Sequence, residues 1–304
     1  MKVFVTGVGG QLGHDVVNEL ARRGHEAVGS DLAPQYGGVA DGSAVTRAEY
    51  VPLDITDGDA VAVAIGRVKP DAVVHCAAWT AVDAAEDPAN RDKVRAINGL
   101  GTRHVAEAAK RADAKLIYIS TDYVFDGQGE KPWEPDCKDY KPLNVYGQTK
   151  LEGELAVSGN LEKYFIVRIA WVFGINGKNF VKTMLKLAET HDTLRVVDDQ
   201  FGSPTYTYDL SRLLVDMVET DKYGIYHATN EGICSWYEFA CAIFKEAGLG
   251  DKITVNPVST AEYGAKAARP YNSRMSKEKL TENGFEKLPT WQDALHRYVA
   301  ELEK

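Results

Sequence analysis

The stretch KVFVTGVGGQLGHDVV, residues 2–17, decides the fold because it joins a short apolar run to a glycine-rich turn and then to a segment of helical length. In such a turn no Cβ intervenes, so backbone N–H groups and a helix N-terminus can approach a pyrophosphate. A glycine-rich turn alone can be purely structural, but a strand before it and a helix after it favour dinucleotide binding. The residues predicted to contact the dinucleotide here are Gly7, Gly10, Gln11, Leu12 and Gly13, with the three glycines in a G-x-x-G-x-x-G frame.

Short apolar or β-branched runs alternate with amphipathic stretches of helical length over the first part of the chain. The runs are residues 2–7, 25–31, 49–54, 71–78, 115–120 and 164–173, and the clearest candidate helices are residues 12–24 and 96–112. Nearly continuous apolar strands joined by helical crossovers indicate a parallel sheet covered on both faces. The sequence therefore predicts an α/β fold with a doubly wound parallel sheet of the Rossmann type.

After about residue 170 the strict alternation weakens, although helical periodicity continues in several segments. Residues 250–275 are mixed in character and are interrupted by prolines. We therefore expect a second, smaller C-terminal lobe. Its predicted bounds are residues 171–194 and 226–304, while residues 1–170 form the dinucleotide-binding domain and residues 195–225 return to it.

The composition is that of a globular protein, with 44% hydrophobic and 26% charged residues among 304. A net charge of −9 argues against a nucleic-acid or membrane-surface binder. The four cysteines have no metal-ligand spacing and are expected to be reduced thiols. The first apolar run is too short for a signal-peptide core, so we expect a cytoplasmic protein.

Small or polar residues follow three further predicted strands, at the edge where ligands bind in open α/β sheets. Asp31 ends the second run, and its carboxylate can accept hydrogen bonds from a ribose 2′-OH. By itself this favours NAD over a cofactor with a 2′-phosphate, and a nearby cation would change that preference. Each position alone is also compatible with an ordinary strand-to-loop turn. The other predicted cofactor contacts are Asp54 and Ile55 after the third run, and Ala77, Ala78 and Thr80 after the fourth.

Tyr146 and Lys150 lie four residues apart in NVYGQTKLEGE, residues 144–154, a stretch suited to a helix. Residues at this spacing share one helix face, so a phenol and an ammonium can reach the same small molecule. The pair by itself is equally compatible with two solvated surface side chains. Thr121 follows the fifth run in STDYVFDG, residues 120–127, so its hydroxyl comes to the same edge of the sheet.

Thr121, Tyr146 and Lys150, together with the glycine-rich turn, resemble the extended short-chain dehydrogenase/reductase family, in which Ser or Thr, Tyr and Lys form the catalytic set beside the nicotinamide. The resemblance covers nearly the whole chain. The stretches that carry it are GQLG, AAWTAVDAAE, STDYVFDG, PLNVYGQTKLEGE, RIAWVFG, GKNFVKTMLKLA, DDQFGSPTY and RPYNSRM.

The resemblance implies an NADPH- or NADH-dependent reduction of the C4 ketone of dTDP-4-dehydro-6-deoxy-L-mannose to dTDP-L-rhamnose. Tyr146 would donate the proton, and Lys150 would lower the pKa of that phenol and bind the nicotinamide ribose. The residues expected to bind the substrate are Thr121, Asp122, Tyr146, Trp171 and Arg269. Trp171 can equally be core packing, and Arg269 a surface arginine.

Two residues depart from the pattern of the family, namely Cys76, where relatives often carry Asn, and Trp79, where a smaller aromatic residue or His is usual. Trp79 adds bulk near the nicotinamide pocket and bears on the fit of the substrate. Family members can bind a divalent cation such as Mg²⁺ between subunits, but no ligands for it can be assigned in this sequence. We expect a monomer or homodimer whose partner is a small nucleotide sugar, with no nucleic acid and no membrane.

Two other functions compete with the reductase. One is a nucleotide-sugar epimerase or dehydratase of the same superfamily, which would keep its NAD bound through a catalytic cycle. The other is a regulatory subunit that binds a dinucleotide without catalysis. The presence of Thr121, Tyr146 and Lys150 makes the second alternative the weaker one.

Overall fold

The structure, a computed structural model, describes residues 1–303. The strands are β1 (Lys2–Thr6), β2 (Glu26–Asp31), β3 (Glu49–Pro52), β4 (Ala72–His75), β5 (Lys115–Thr121), β6 (Tyr164–Ile169), β7 (Val172–Phe173), β8 (Thr193–Val197), β9 (Phe201–Gly202), β10 (Thr205–Tyr206), β11 (Gly224–His227), β12 (Asn230–Glu231), β13 (Cys234–Ser235), β14 (Thr254–Val258) and β15 (Leu288–Thr290).

The α-helices are α1 (Gln11–Arg22), α2 (Gly58–Val68), α3 (Val82–Ala85), α4 (Arg91–Arg95), α5 (Thr102–Arg111), α6 (Val145–Asn160), α7 (Phe180–Ala188), α8 (Thr207–Val218), α9 (Trp236–Glu246), α10 (Thr260–Tyr263), α11 (Glu278–Glu282) and α12 (Trp291–Leu302). Two short 3₁₀ turns cover Ala44–Thr46 and Asp122–Val124, and a π-helical segment, Ala96–Gly101, joins α4 to α5. The predicted helix 96–112 is therefore the second part of a longer helical segment.

Seven strands form one sheet in the order β11-β6-β5-β4-β1-β2-β3, and every neighbouring pair is parallel. The prediction of a doubly wound parallel sheet is confirmed. Its carboxyl edge gathers the residues that follow β1 to β6, since all these strands run in one direction.

Alternate side chains along the strands supply the two faces of the sheet. Val3 and Val5 of β1 pack in one apolar cluster with α1 and α8, whereas Phe4 between them packs in another with α2 and α5. The alternation follows from the strand repeat of two residues. Both faces are buried, which explains why the strands read as continuous apolar runs.

A third apolar cluster, formed by α7, α9, α12 and the strands near them, is the core of the C-terminal lobe. β8 pairs with β14 in this lobe, so residues 195–197 lie outside the segment that returns to the sheet. The return is made by α8, which packs against α1, and by β11, which pairs with β6. An apolar strand pattern does not tell which sheet the strand joins. The assignment of a substrate-binding role to the lobe stays a prediction.

The predicted run 164–173 is divided into β6 and β7 at Trp171. This residue has φ of +52°, in the left-handed region that a bulky side chain rarely adopts. The chain therefore turns at the carboxyl edge of the sheet and enters the C-terminal lobe.

No helix within residues 1–303 combines the length and the apolar character that crossing a membrane requires.

Candidate active site

A cleft of about 870 Å³ opens at the carboxyl edge of the sheet, between the sheet and the C-terminal lobe. Sixteen of the predicted site residues line it, and only Arg269 does not. These sixteen are Gly7, Gly10, Gln11, Leu12, Gly13, Asp31, Asp54, Ile55, Ala77, Ala78, Thr80, Thr121, Asp122, Tyr146, Lys150 and Trp171.

The glycine turn, residues 7–13, requires glycine at two positions. Gly7 has φ of +72°, and a Cβ there would lie 2.6 Å from the backbone nitrogen of Ala77. A Cβ on Gly13 would lie 2.3 Å from the carbonyl oxygen of Gly7. The turn thus leaves backbone free of side chains at the start of α1, which fits the pyrophosphate of a dinucleotide.

Asp31 fixes the end of β2 to this turn. One carboxylate oxygen accepts the N–H of Gly9 at 2.8 Å, and the other accepts the N–H of Leu32 at 2.7 Å. Because each oxygen keeps a further lone pair, the carboxylate can still accept a ribose hydroxyl.

Two asparagines of the C-terminal lobe, which the sequence did not identify as site residues, hold the loop before α7 over the glycine turn. The side chain of Asn176 donates to the carbonyl oxygens of Gly9 and Gly10 at 3.0 and 3.2 Å. Asn179 caps α7 and donates to Oε1 of Gln11 at 3.0 Å. This loop also brings Lys178 to the cleft.

Helix α6 presents Tyr146 and Lys150 on one face toward the cleft. Asn144 caps the helix by accepting the N–H of Gly147 at 2.8 Å. Lys150 is buried, donates to the carbonyl oxygen of Ile119 at 2.7 Å and lies 4.2 Å from the ring centre of Tyr118. The pair is therefore not a solvated surface pair.

Burial governs the acid–base properties of both side chains. It lowers the pKa of Lys150 to about 7, although the charge of Glu154 opposes this change. Burial raises the pKa of the Tyr146 phenol above its ordinary value. The net shift of the Tyr146 pKa is therefore upward, because desolvation of the phenol is the largest effect. The role of Lys150 in favouring the phenolate stays a prediction.

Thr121 and Asp122 lie at the end of β5, and both are buried. The Thr121 hydroxyl donates to one carboxylate oxygen of Asp122 at 3.0 Å. Ser273, from the C-terminal lobe, donates to the other oxygen. Burial raises the pKa of Asp122 to about 6, while hydrogen bonds from Ser273 and Thr121 oppose the rise.

An ion pair between Arg168 of β6 and Glu154 of α6 holds α6 against the sheet. Nε and Nη2 of Arg168 donate to the carboxylate of Glu154 at 2.8 and 2.7 Å, and neither side chain is appreciably exposed. Ser120, next to Thr121, donates to Glu154 at 2.5 Å. Glu154 lies one turn beyond Lys150, so the pair fixes both the helix and the strand that carry the site.

Asn98, in the π-helical segment, holds the loop after β4. Its side chain accepts the N–H of Trp79 at 2.8 Å and donates to the carbonyl oxygen of Trp79 and to the Thr149 hydroxyl, both at 3.1 Å. π-Helical turns recur at functional sites, where they redirect a side chain. Cys76, on the same loop, lines the cleft, and burial raises the pKa of its thiol to about 12.

Two tryptophans form the side of the cleft next to the C-terminal lobe. Trp171 and Trp236 stack with ring centres 3.7 Å apart and an angle of 16° between the planes. Trp236, at the start of α9, also lines the cleft and was not identified from the sequence. The stack gives a flat apolar surface of the kind that packs against a sugar ring.

Arg269 does not line the cleft in this structure. Its guanidinium donates to both carboxylate oxygens of Asp83, at 3.2 and 2.6 Å. Gln200, another loop residue of this region, donates to Thr260 rather than facing the cleft. No group of three or more His, Cys, Asp or Glu side chains within residues 1–303 is arranged to hold a metal ion.

A parallel sheet of this order, with Thr, Tyr and Lys around one cleft at its carboxyl edge, is the architecture of the nicotinamide-dependent short-chain dehydrogenases and reductases. The chain belongs to the family described as the RmlD substrate binding domain, whose model matches residues 1–304.

Comparison with individual proteins gives full-length matches. The spore coat polysaccharide biosynthesis protein SpsK of Bacillus subtilis strain 168 is 41% identical over 300 residues, covering 99% of this chain and 97% of SpsK. A dTDP-4-dehydrorhamnose reductase of Clostridium acetobutylicum is 38% identical with a TM-score of 0.90, covering 100% of both chains. The dTDP-4-dehydrorhamnose reductase of Bacillus anthracis strain Ames, solved in complex with NADP, is 40% identical with a TM-score of 0.88, covering 99% of both chains.

Proposed function

We propose that this chain is an NAD(P)H-dependent reductase that converts dTDP-4-dehydrorhamnose to dTDP-L-rhamnose. The observation that carries the proposal is the common cleft, which contains Thr121, Tyr146 and Lys150 beside a glycine turn. The solved relatives described as dTDP-4-dehydrorhamnose reductases support the choice of substrate.

When bound, the reduced nicotinamide supplies a hydride to C4 of the substrate. Tyr146 donates a proton to the oxygen on which negative charge develops. A general acid must hold its proton before the reaction, and the raised pKa of the buried phenol ensures this near neutral pH. The direction of the pKa change thus suits a reduction.

Lys150 and Thr121 stabilise the developing charge from two sides. The ammonium of Lys150, held by the Ile119 carbonyl oxygen, favours the phenolate that remains after Tyr146 has given up its proton. Lys150 would also bind the nicotinamide ribose. Thr121 would donate to the substrate oxygen, which places the ketone for hydride transfer.

The residues that would hold the cofactor are those of the glycine turn and of the strand ends after β2, β3 and β4. The Asp31 carboxylate would accept the adenosine ribose 2′-OH, whereas a 2′-phosphate beside it would meet a like charge. We therefore propose that NADH binds at least as tightly as NADPH. The oligomeric state, monomer or homodimer, and residence in the cytoplasm remain proposals based on the sequence.

The deciding experiment supplies the purified protein with dTDP-4-keto-6-deoxyglucose, a 3,5-epimerase and either NADH or NADPH. We expect loss of nicotinamide absorbance and formation of dTDP-L-rhamnose. Tightly bound NAD with no net consumption of reduced cofactor would instead identify an epimerase or dehydratase. Cofactor binding without any turnover would identify the regulatory subunit.

A further inference from the structure

Ser273 brings the C-terminal lobe into contact with Asp122, the residue that follows β5. Its N–H donates to the carbonyl oxygen of Phe201, and the N–H of the preceding Asn272 donates to the carbonyl oxygen of Gly127, both at 2.8 Å. These bonds fix the segment to β9 and to the loop after β5. The Ser273 hydroxyl, buried at 2% exposure, then donates to Oδ2 of Asp122.

The Asp122 carboxylate accepts hydrogen bonds from two hydroxyl groups. The Ser273 hydroxyl donates to Oδ2, and the Thr121 hydroxyl donates to Oδ1 at 3.0 Å. The Thr121 oxygen itself accepts the N–H of Tyr123 at 3.3 Å. A threonine hydroxyl has a single proton, so in this arrangement Thr121 has none left for another acceptor.

In the reduction, the Thr121 hydroxyl must donate its hydrogen bond to the ketone oxygen as charge develops on it, and no longer to Asp122. When the hydroxyl turns to the substrate, Asp122 loses one of its two hydroxyl donors. A buried carboxylate that loses a hydrogen bond is destabilised, which opposes the turn. The hydroxyl donor that remains is Ser273, beside the backbone N–H groups of Asp122 and Tyr123.

We propose that Ser273 is a positioning residue of the reduction: its hydroxyl holds the Asp122 carboxylate and so allows Thr121 to transfer its hydrogen bond to the ketone oxygen. The inference rests on the proposed function. Ser273 acts through Asp122 and Thr121 and need not touch the substrate.

The titration of Asp122 can be distinguished from that of its neighbours, because the neighbouring groups change charge in other pH ranges. Burial raises the pKa of Tyr123 and of Tyr146, so both phenols stay neutral at acid and neutral pH. The ion pair raises the pKa of Arg269 and lowers that of Asp83, so both stay charged. Lys150, on α6, titrates near pH 7, whereas Asp122 titrates near pH 6, where it becomes neutral on acidification.

The test compares Ser273→Ala with the wild type and with Ser203→Ala. Ser203, which follows β9, is an equally buried serine, but its hydroxyl donates to the Gly232 carbonyl oxygen and not to Asp122. At about pH 8 we expect Ser273→Ala to lower kcat about tenfold or more, the effect of one hydrogen bond to a charged group. The Kd for NADH should not change.

The decrease in kcat caused by Ser273→Ala should depend on pH. Below about pH 6 Asp122 is neutral and no longer needs the Thr121 proton, so kcat of Ser273→Ala should approach that of the wild type to within about twofold. Ser203→Ala should keep a constant ratio to the wild type at every pH. Ser273→Cys, which keeps a weak donor of similar size, should lie between Ser273→Ala and the wild type.

A second measurement does not involve activity. The infrared carbonyl band of protonated Asp122, taken as the difference between each protein and its Asp122→Asn variant, reports the titration directly. Removal of the Ser273 donor should raise the midpoint by about one pH unit, because that hydrogen bond favours the ionised carboxylate. Ser203→Ala should leave the midpoint in place.

The proposal is overturned if the Ser273→Ala loss is independent of pH, if Ser203→Ala shows the same loss, or if the infrared midpoint does not move. A wild-type protein that binds NADH but reduces no ketone would overturn the proposed function itself. That result is distinguishable, because it is seen in the unmutated protein.

Discussion

The ammonium of Lys150 donates to the backbone carbonyl oxygen of Ile119 across 2.7 Å, which joins the middle of α6 to the end of β5. The charge is buried, and the carboxylate whose charge raises the pKa of Lys150 is that of Glu154, already paired with Arg168. Lys150 is therefore kept where desolvation disfavours its charged form.

The first prediction concerns stability without nucleotide. Burial lowers the pKa of Lys150 from 10.5 to about 7, so the unfolded chain binds more protons than the folded protein between these values. The free energy of unfolding of the wild type should therefore rise with pH through this window. The stability of Lys150→Met relative to the wild type should therefore fall by several kcal/mol, on the order of 3–5, between pH 7 and pH about 10, while the loss of the hydrogen bond to Ile119 lowers it equally at every pH.

Denaturant unfolding at several pH values measures this difference. Lys163→Met is the matched control, since Lys163 is exposed and pairs with Asp113 at the surface. Its stability relative to the wild type should not change in this way. A stability of Lys150→Met relative to the wild type that is the same at both ends of the window would contradict the prediction.

The second prediction concerns catalysis by the same variant. Loss of the ammonium removes the group that favours the Tyr146 phenolate and binds the nicotinamide ribose. We expect lower turnover, weaker cofactor binding and an alkaline shift of the limb of the pH–rate profile that reports the phenol. A variant equal to the wild type in all three would mean that Lys150 only fills space in the helix packing.

The third prediction is that Tyr146→Phe lowers turnover by about 100- to 10,000-fold, because only the proton-donating hydroxyl is lost. The Kd for NADH should stay nearly unchanged. Single-turnover measurement of hydride transfer checks this, with Tyr164→Phe, at the opposite end of the sheet, as the control. Retention of more than about half of the wild-type rate would remove Tyr146 from the mechanism.

The fourth prediction concerns the choice of cofactor. Asp31→Ala should weaken NADH more than NADPH, since only the ribose hydroxyl of NADH gains from the carboxylate. Asp31→Ala should weaken the binding of both NADH and NADPH to some extent, because Asp31 also holds Gly9 of the glycine turn. Titration of each variant with NADH and with NADPH gives the Kd values that test this prediction. The control is Asp71→Ala, which removes an acceptor of the Lys2 N–H at the far edge of the sheet. Equal loss for both cofactors would refute the ribose contact.

The fifth prediction separates two roles of Arg269. If its guanidinium pairs with a diphosphate oxygen, Arg269→Ala should raise KM for the nucleotide sugar and leave kcat nearly unchanged. Asp83→Ala should then lower KM, because it removes the carboxylate that now holds the guanidinium. If both variants have the KM of the wild type, the pair serves only to fasten the C-terminal lobe.

Much of the sheet and of the cofactor side of the cleft could be predicted from local sequence. The strands are apolar on both faces, and parallel strands bring their carboxyl ends to one edge, so the positions of Asp31 and Thr121 at the cleft follow from the sequence. The catalytic helix was predictable because a spacing of four residues puts Tyr146 and Lys150 on one face.

The lobe side of the cleft could not be predicted in the same way. Asn176, Trp236 and Ser273 reach the site by contacts with segments far away in the chain, and a helix-start or loop pattern does not reveal which surface it will meet. The upward direction of the Tyr146 pKa could not be predicted either, because the extent of desolvation depends on packing from several elements.

The position of β11 has a consequence for the order in which the protein is made. This strand is the last of the sheet, and it covers the edge of β6 only after residue 227 has left the ribosome. Until then the nascent chain presents an open strand edge, with unpaired N–H and carbonyl groups that could pair with another chain. We infer that a chain ended after β6, although it holds every catalytic side chain, would aggregate rather than fold.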